Sequence, residues 1–292
     1  NEAFIIDSAK RDEILRNCVS ENERQRTSEL IKPILRGRDI KRYSYEWAGL
    51  WIIIAKFNSH QYLEKDYPAI YNYLLQHKDK LQKRGQCTNK PATDKKPYTG
   101  QHHWLELDNN PTNEYLSNFE KEKIVYPETS QGAYFMYDNQ KIYAEKTAFI
   151  ITTNSNPKFL LALLNSKALT FYYKKFCGGC ILGNTAYQYN KHALERLPIP
   201  QITESNKPLC DEIIKCVEKI LEIKACHTEA LAEVSKNTES KKDFSPFSKA
   251  QNDKADSTLD TSKLESKLDS LVYKLYNLTK DEIEIIKGNY GK

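Results

Sequence analysis

The stretch Pro33-Ile34-Leu35-Arg36-Gly37-Arg38-Asp39-Ile40-Lys41-Arg42-Tyr43 stands shortly before the apolar run Trp51-Ile52-Ile53-Ile54. It reads as a basic turn feeding a buried strand. Arg36, Arg38, Lys41 and Arg42 cannot all turn inward, because unpaired guanidinium and ammonium groups are almost never fully buried. Several must face solvent or an anionic partner, and nucleic acid is the anion such a turn suits best. In the plainer alternative Asp39 pairs with one arginine, Gly37 supplies a turn with positive φ, and the other charges are solvated. These residues alone do not choose between the two.

Outward from that turn, residues 50–55, 123–126, 134–137 and 147–152 are rich in β-branched and aromatic side chains and predict strands. Asp138-Asn139 carries turn chemistry, so its flanks around Tyr137 and Ile142 are expected to form a hairpin. Pro68 is placed to open a helix with Ile70, Leu74 and Leu81 on one face, and Gly85 to stop it. Asn156-Pro157 opens another that carries Leu160, Leu161 and Leu164. The expected fold is therefore α/β (α+β) with a mixed sheet over residues 1–200, closed by Pro198 and Pro200.

Residues 201–292 change period. Ile213, Ile214, Val217, Ile220 and Leu221 make one helical stripe, and Leu264, Leu268, Leu271, Val272 and Leu275 another. The two helices are expected to pack antiparallel. Ser262 with Glu265 and Thr279 with Glu282 have capping-box spacing, and Asn277 suits a left-handed helix end. Between the helices, residues 233–261 hold few large apolar side chains and predict a disordered or loosely helical insertion.

Several of these landmarks, in this order, resemble the C-terminal target-recognition region of type IIG restriction-modification enzymes and related adenine-specific DNA methyltransferases. They are residues 31–43, Tyr67-Pro68-Ala69-Ile70, residues 81–84, Lys123-Ile124-Val125-Tyr126-Pro127, and Leu161-Ala162-Leu163-Leu164-Asn165-Ser166-Lys167. Leu197-Pro198-Ile199-Pro200 and Leu268-Asp269-Ser270-Leu271-Val272-Tyr273-Lys274-Leu275-Tyr276-Asn277-Leu278-Thr279 complete the series. The resemblance implies a DNA-binding specificity domain whose partners are duplex DNA and an upstream methyltransferase domain of the same polypeptide. Glycine is frequent in that family where this chain has Asn277. A first residue Asn1 in place of methionine is what a fragment would show.

Composition agrees with this without requiring it. The chain has 292 residues, 39% hydrophobic and 28% charged, with formal net charge +5, so a nucleic-acid surface has to come from local clustering of cations. Nineteen tyrosines supply stacking faces with hydrogen-bonding tips. No segment has the ~20 apolar residues of a membrane span, and seven cysteines without framework spacing suit reduced thiols, so a cytoplasmic location is expected. Cys177-Gly178-Gly179-Cys180 has half-site spacing for zinc but no second pair, and reads as coincidence.

The chemistry of base methylation is not written here. The glycine loop for S-adenosylmethionine and the Asn-Pro-Pro-Tyr tetrad that holds a flipped adenine do not occur; Asn109-Asn110-Pro111-Thr112 has one proline and no aromatic. No catalytic residue, metal or cofactor is expected in this chain, and S-adenosylmethionine is expected for the parent protein. That parent is expected to be a site-specific DNA adenine methyltransferase, with or without endonuclease activity, and the sequence leaves open whether it restricts, only methylates, or serves another phage-defence system.

Expected DNA contacts are Arg36, Arg38, Lys41, Arg42 and Arg84, with Lys95, Lys96, His102 and His103 in a polar loop that Trp104 anchors. Gln131 and Tyr134 form a further edge, and the glycine-bounded loop that faces DNA in the family adds Asn184, Tyr187 and Gln188. Arginine reads guanine and glutamine adenine through paired hydrogen bonds, whereas lysine more often meets phosphate. The rival from another class is a protein-interaction module that docks a partner subunit through its helical pair.

Overall fold

The computed structural model describes residues 2–109, 111–177, 181–182, 186–239 and 261–288, with backbone alone at residues 2, 181–182 and 226–239. Its strands are β1 (Ile5–Asp7), β2 (Ile31–Leu35), β3 (Ile40–Lys41), β4 (Ser44–Tyr45), β5 (Leu50–Ile53), β6 (Lys123–Pro127), β7 (Thr129–Ser130), β8 (Met136–Asp138), β9 (Tyr143–Ala144), β10 (Ala148–Ile151), β11 (Ile181–Leu182) and β12 (Ala186–Gln188). The chain divides into two compact units. One holds Asn1–Arg36, Trp47–Glu122 and Asp138–Glu145; the other holds Gly37–Glu46, Lys123–Tyr137 and Lys146–Lys292.

The first unit is built on the sheet β1-β5-β2-β9. β5 runs antiparallel to β1 and β2, and β9 joins β2 in parallel, so the sheet is mixed as expected. Pairing Ile31 with Ile53 puts two fully buried side chains side by side. Phe4, Ile14, Leu63, Ile70, Leu74 and Leu105 complete the core, each such side chain contributing about 1.5 to 3 kcal/mol by leaving water. Helices Ser8–Arg16 and Glu21–Leu30 begin on side-chain caps from Asp7 and Ser20. Buried Glu23 accepts the Ala69 N–H at 3.0 Å, which satisfies an orphan donor at the start of helix Pro68–Leu75.

In the second unit the antiparallel pair β10/β6 and strand β8 form one sheet, β11-β12-β7 a second, and β3/β4 a hairpin. Helix Pro157–Leu164 starts on Asn156, whose side chain accepts from Lys158 and Phe159, as the Asn-Pro signal predicts. Helix Lys167–Phe176 starts on Ser166, and the buried Asp269 carboxylate accepts the Lys167 N–H at 2.9 Å. That contact ties the Leu-Asn-Ser-Lys motif to helix Ser262–Leu275. Cys216 meets Leu264 while Glu212 meets Lys267, so helix Lys207–Glu239 runs antiparallel to helix Ser262–Leu275. Thr279 and Glu282 form the expected capping box, and Asn277 adopts φ 51°.

Three local expectations are corrected. Asp138 accepts the N–H groups of Gln140 and Ile142, so a turn forms, but β8 joins β6 and β9 joins β2, and no hairpin results. The helix from Pro68 ends at Leu75, Leu81 sits on a separate turn Lys78–Leu81, and Gly85 opens the turn Gly85–Thr88 instead of stopping a helix. Ser262 is the first helical residue; Thr261 precedes it, and its hydroxyl bonds Glu265 at 2.8 Å without a backbone cap. Helix Lys207–Glu239 also runs into the start of the expected insertion, the rest of which, residues 240–260, lies outside the described residues.

Candidate nucleic-acid interface

Gly37 stands at the entry to the basic turn because there is no room for a side chain. A Cβ there would lie 2.4 Å from the Thr147 carbonyl oxygen and 3.3 Å from Pro127 Cβ, while the Gly37 N–H donates to Thr147 Oγ1 at 2.9 Å. The positive φ of this segment belongs to Tyr43 at 63°, not to Gly37, which corrects the conformational part of the plainer reading. Tyr43 is buried among Ile124, Tyr126 and Phe135, and its N–H donates to the Phe135 carbonyl at 3.0 Å. Burial pushes its phenol well above the ordinary tyrosine range. The β3/β4 hairpin is thus pegged into the core, and its cations are displayed from a fixed base.

Those cations have different surroundings. Arg42 Nε lies 2.8 Å from Glu265 Oε2 without the alignment of a hydrogen bond, and its guanidinium sits 5.3 Å from the Tyr43 ring centre. Lys41 is 3.4 Å from Glu46. Arg36 is half-buried and Asp39 buried, both with partners inside the protein. Arg38 is exposed, and among the described residues no carboxylate lies within ion-pair distance of it.

Gly37 packs on Pro127, the last residue of β6, and β7 begins two residues later. The basic turn and the β11-β12-β7 sheet therefore leave the same end of β6. In that small sheet Tyr187 pairs with Ser130 and Gln188 with Thr129, which brings Gln131 and Tyr187, distant in sequence, close to each other. Gln131 is exposed and Tyr134 half-buried; Gln188 Nε2 donates to Glu128 Oε1 at 3.2 Å. Asn184 lies outside the described residues. Asn165 donates to the Phe135 carbonyl at 2.8 Å and accepts the Phe135 N–H at 3.2 Å.

The polar loop of the first unit is built differently from its sequence expectation. Arg84, expected at DNA, donates to Asp108 Oδ1 at 3.0 Å and to the carbonyls of Trp104 and Glu106 at 3.0 and 2.7 Å. Its donors already hold the loop together, so it serves the fold. Trp104 is buried and anchors that loop, as expected. Lys96 bonds the Gly100 carbonyl, whereas Lys95 is exposed. Fully buried Glu106 accepts N–H groups from Asn58 and His103 and lies 2.6 Å from His60 Nδ1 and 3.9 Å from His102 Nδ1.

His103 cannot offer DNA a positive charge at neutral pH. Burial, then the neighbouring His60 and Lys78, push its pKa down to about 4, and its Nδ1 accepts the Leu105 N–H at 3.3 Å. The unfolded chain thus binds more protons at this position than the folded chain, and stability falls as pH drops from about 6.5 toward 4. His103→Asn keeps an acceptor without the titration. Over that interval the unsubstituted protein is expected to lose about 1 to 3 kcal/mol more than the variant in urea unfolding, allowing for partial solvent screening. Parallel pH profiles would refute the neutral assignment.

Sequence reasoning overlooked Lys174 and read Glu265 only as a capping partner. Lys174 Nζ lies 4.4 Å from the Tyr187 ring centre, and Glu265 restrains Arg42. The aromatic-basic run Tyr172-Tyr173-Lys174-Lys175-Phe176 is the one local signal that could have drawn attention to the lysine. Among the described residues no group of three or more His, Cys, Asp or Glu side chains could hold a metal ion, and no helix is long and apolar enough to cross a membrane.

The chain belongs to the family of the TaqI-like C-terminal specificity domain, which it matches over residues 32–199. It is also 26% identical over 220 residues to the type II methyltransferase M.MjaIV of Methanocaldococcus jannaschii, a match covering 74% of this chain and 66% of that relative. The target-recognition family inferred from the ordered landmarks is therefore the family found.

Proposed function

We propose that this chain is the DNA target-recognition part of a site-specific DNA adenine methyltransferase of a restriction-modification system. It holds duplex DNA and reads base edges while an upstream domain of the same cytosolic polypeptide binds S-adenosylmethionine and transfers the methyl group. Residues 1–200 would carry recognition and residues 201–292 act as a helical spacer. The residues present do not fit the cofactor, since the sequence has neither its glycine loop nor the base-holding tetrad. No chemical step is assigned to this chain.

The observation that carries the proposal is Arg38, an exposed guanidinium without a carboxylate partner among the described residues, on a turn pegged by Gly37 and Tyr43. Binding of the chain to duplex DNA is expected to weaken steeply as salt rises, because phosphate contacts release counterions. If Arg38 reaches a guanine edge, Arg38→Ala should cost about 1 to 3 kcal/mol and relax preference at one base pair. Equal weakening on every duplex would assign it to phosphate. Titrations over a panel of single-base-altered duplexes separate these outcomes, and salt-independent binding, or none at low salt, would overturn the proposal.

One observation favours the interaction-module reading for the helical region. Helices Lys167–Phe176 and Lys280–Ile286 line an apolar groove of about 310 Å³ with Tyr276 and Leu278, and Phe176 at its rim is 57% exposed. Such a groove would seat a partner surface without altering the basic turn.

A further inference from the structure

In the second unit Lys158, Lys167, Lys191, Lys207 and Lys267 each lie within ion-pair distance of a carboxylate, whereas among the described residues Lys146, Lys215, Lys219, Lys263, Lys274 and Lys280 do not. The last turn of helix Lys167–Phe176 sets two lysines of the second kind side by side. Lys174 and Lys175 are both exposed, and among the described residues neither has a carboxylate partner. Arg196 donates to the carbonyls of Phe176 and Cys177, at 2.9 and 3.3 Å, so a third positive charge stands beside them, also without a carboxylate partner among the described residues. Lys174 is held by an aromatic face instead, its ammonium 4.4 Å from the Tyr187 ring centre. An aromatic face orients an ammonium while leaving its charge and its N–H donors available to a ligand.

Tyr187 pairs with Ser130 across β12/β7, and Gln131 follows Ser130 directly. The cationic turn therefore borders the edge where the candidate base-reading residues gather. We infer that Lys174 and Lys175 form a phosphate-binding patch for the sugar-phosphate backbone of duplex DNA, with Tyr187 holding Lys174 in place. The patch positions the duplex beside Gln131 and carries no sequence preference of its own. This inference rests on the DNA-recognition reading above and names a surface for it. Cations also suit the negative end of a helix, but that role alone would affect helix stability and leave DNA binding as it was.

The test uses this chain, a mixed-sequence duplex and the base-altered panel. Lys174→Gln, Lys175→Gln and the double variant are compared with Lys215→Gln, which removes an exposed charge from helix Lys207–Glu239. Each patch variant is expected to reduce the slope of log affinity against log salt by about one and the double variant by about two, equally on every duplex. Lys215→Gln should leave the slope unchanged, and thermal melting should show all four folded. Unchanged slopes in the patch variants, with normal salt-dependent binding by the unsubstituted chain, would overturn this assignment alone. Failure of the unsubstituted chain to bind would overturn it together with the DNA-recognition reading.

Discussion

Gly37→Ala is expected to destabilise the second unit by about 3 kcal/mol or more and to remove most DNA affinity, because the added methyl meets backbone and not a flexible side chain. At 2.4 Å from the Thr147 carbonyl oxygen, the Cβ forces the turn and the start of β10 apart, and the Gly37 N–H bond to Thr147 Oγ1 is lost in the same movement. Arg38 is the next residue, so its guanidinium is displaced along with the backbone. Urea unfolding and DNA titration at one salt concentration give the two readouts. A loss below about 0.5 kcal/mol with normal binding would show that the turn tolerates the shift and that its placement does not depend on this contact.

Asn165→Ala is the second large effect, expected at about 2 to 4 kcal/mol. Asn165 and Phe135 are both buried and joined by a reciprocal pair of hydrogen bonds. After truncation the Phe135 carbonyl still accepts the Tyr43 N–H at 3.0 Å, but the Phe135 N–H loses its acceptor in a water-poor site. The penalty comes mainly from that orphan donor, with a smaller part from lost packing. Because Tyr43 and Phe135 share this backbone connection, the basic turn should loosen too, and base discrimination should fall along with stability. Unfolding measurements that match those of the unsubstituted chain would rule out the peg as described.

These two residues illustrate where local sequence is informative. Asn165 lies in the Leu-Asn-Ser-Lys motif, and its neighbour Ser166 caps helix Lys167–Phe176 through a contact that spans three residues. Its bond to Phe135, thirty positions away, leaves no periodic or capping signature. Gly37 was legible as a special position, yet the plainer reading attached positive φ to it when close approach to Thr147 is the cause. The hairpin expected around Asp138 failed for a related reason: the turn chemistry is local and formed, but β9 found its partner in β2 and not in β8.

The candidate site divides in the same way. Arg36, Arg38, Lys41 and Arg42 could be marked as a group because several of their charges have to face outward, and Arg38 does. Arg84 and His103 carried the same chemical promise, but tertiary contacts absorb the donors of Arg84 into Asp108 and two carbonyls, and burial keeps His103 neutral. Lys174 has a role only because β12 brings Tyr187 beneath it.

By itself the sequence determined the ordered landmarks of a specificity domain, the four longer apolar strands, the helix starts at Pro68 and Pro157, the capping box at Thr279 and the clustering of cations at residues 36–42. Each of these depends on interactions spanning a few residues, or on motif order along the chain. Only the tertiary structure decided the interleaving of segments between two units, the pairing of β9 with β2, and which cations remain without a carboxylate. Those outcomes are set by contacts between residues far apart in the chain, because a charge is neutralised, and a backbone group satisfied, by whatever the fold brings within about 3 Å of it.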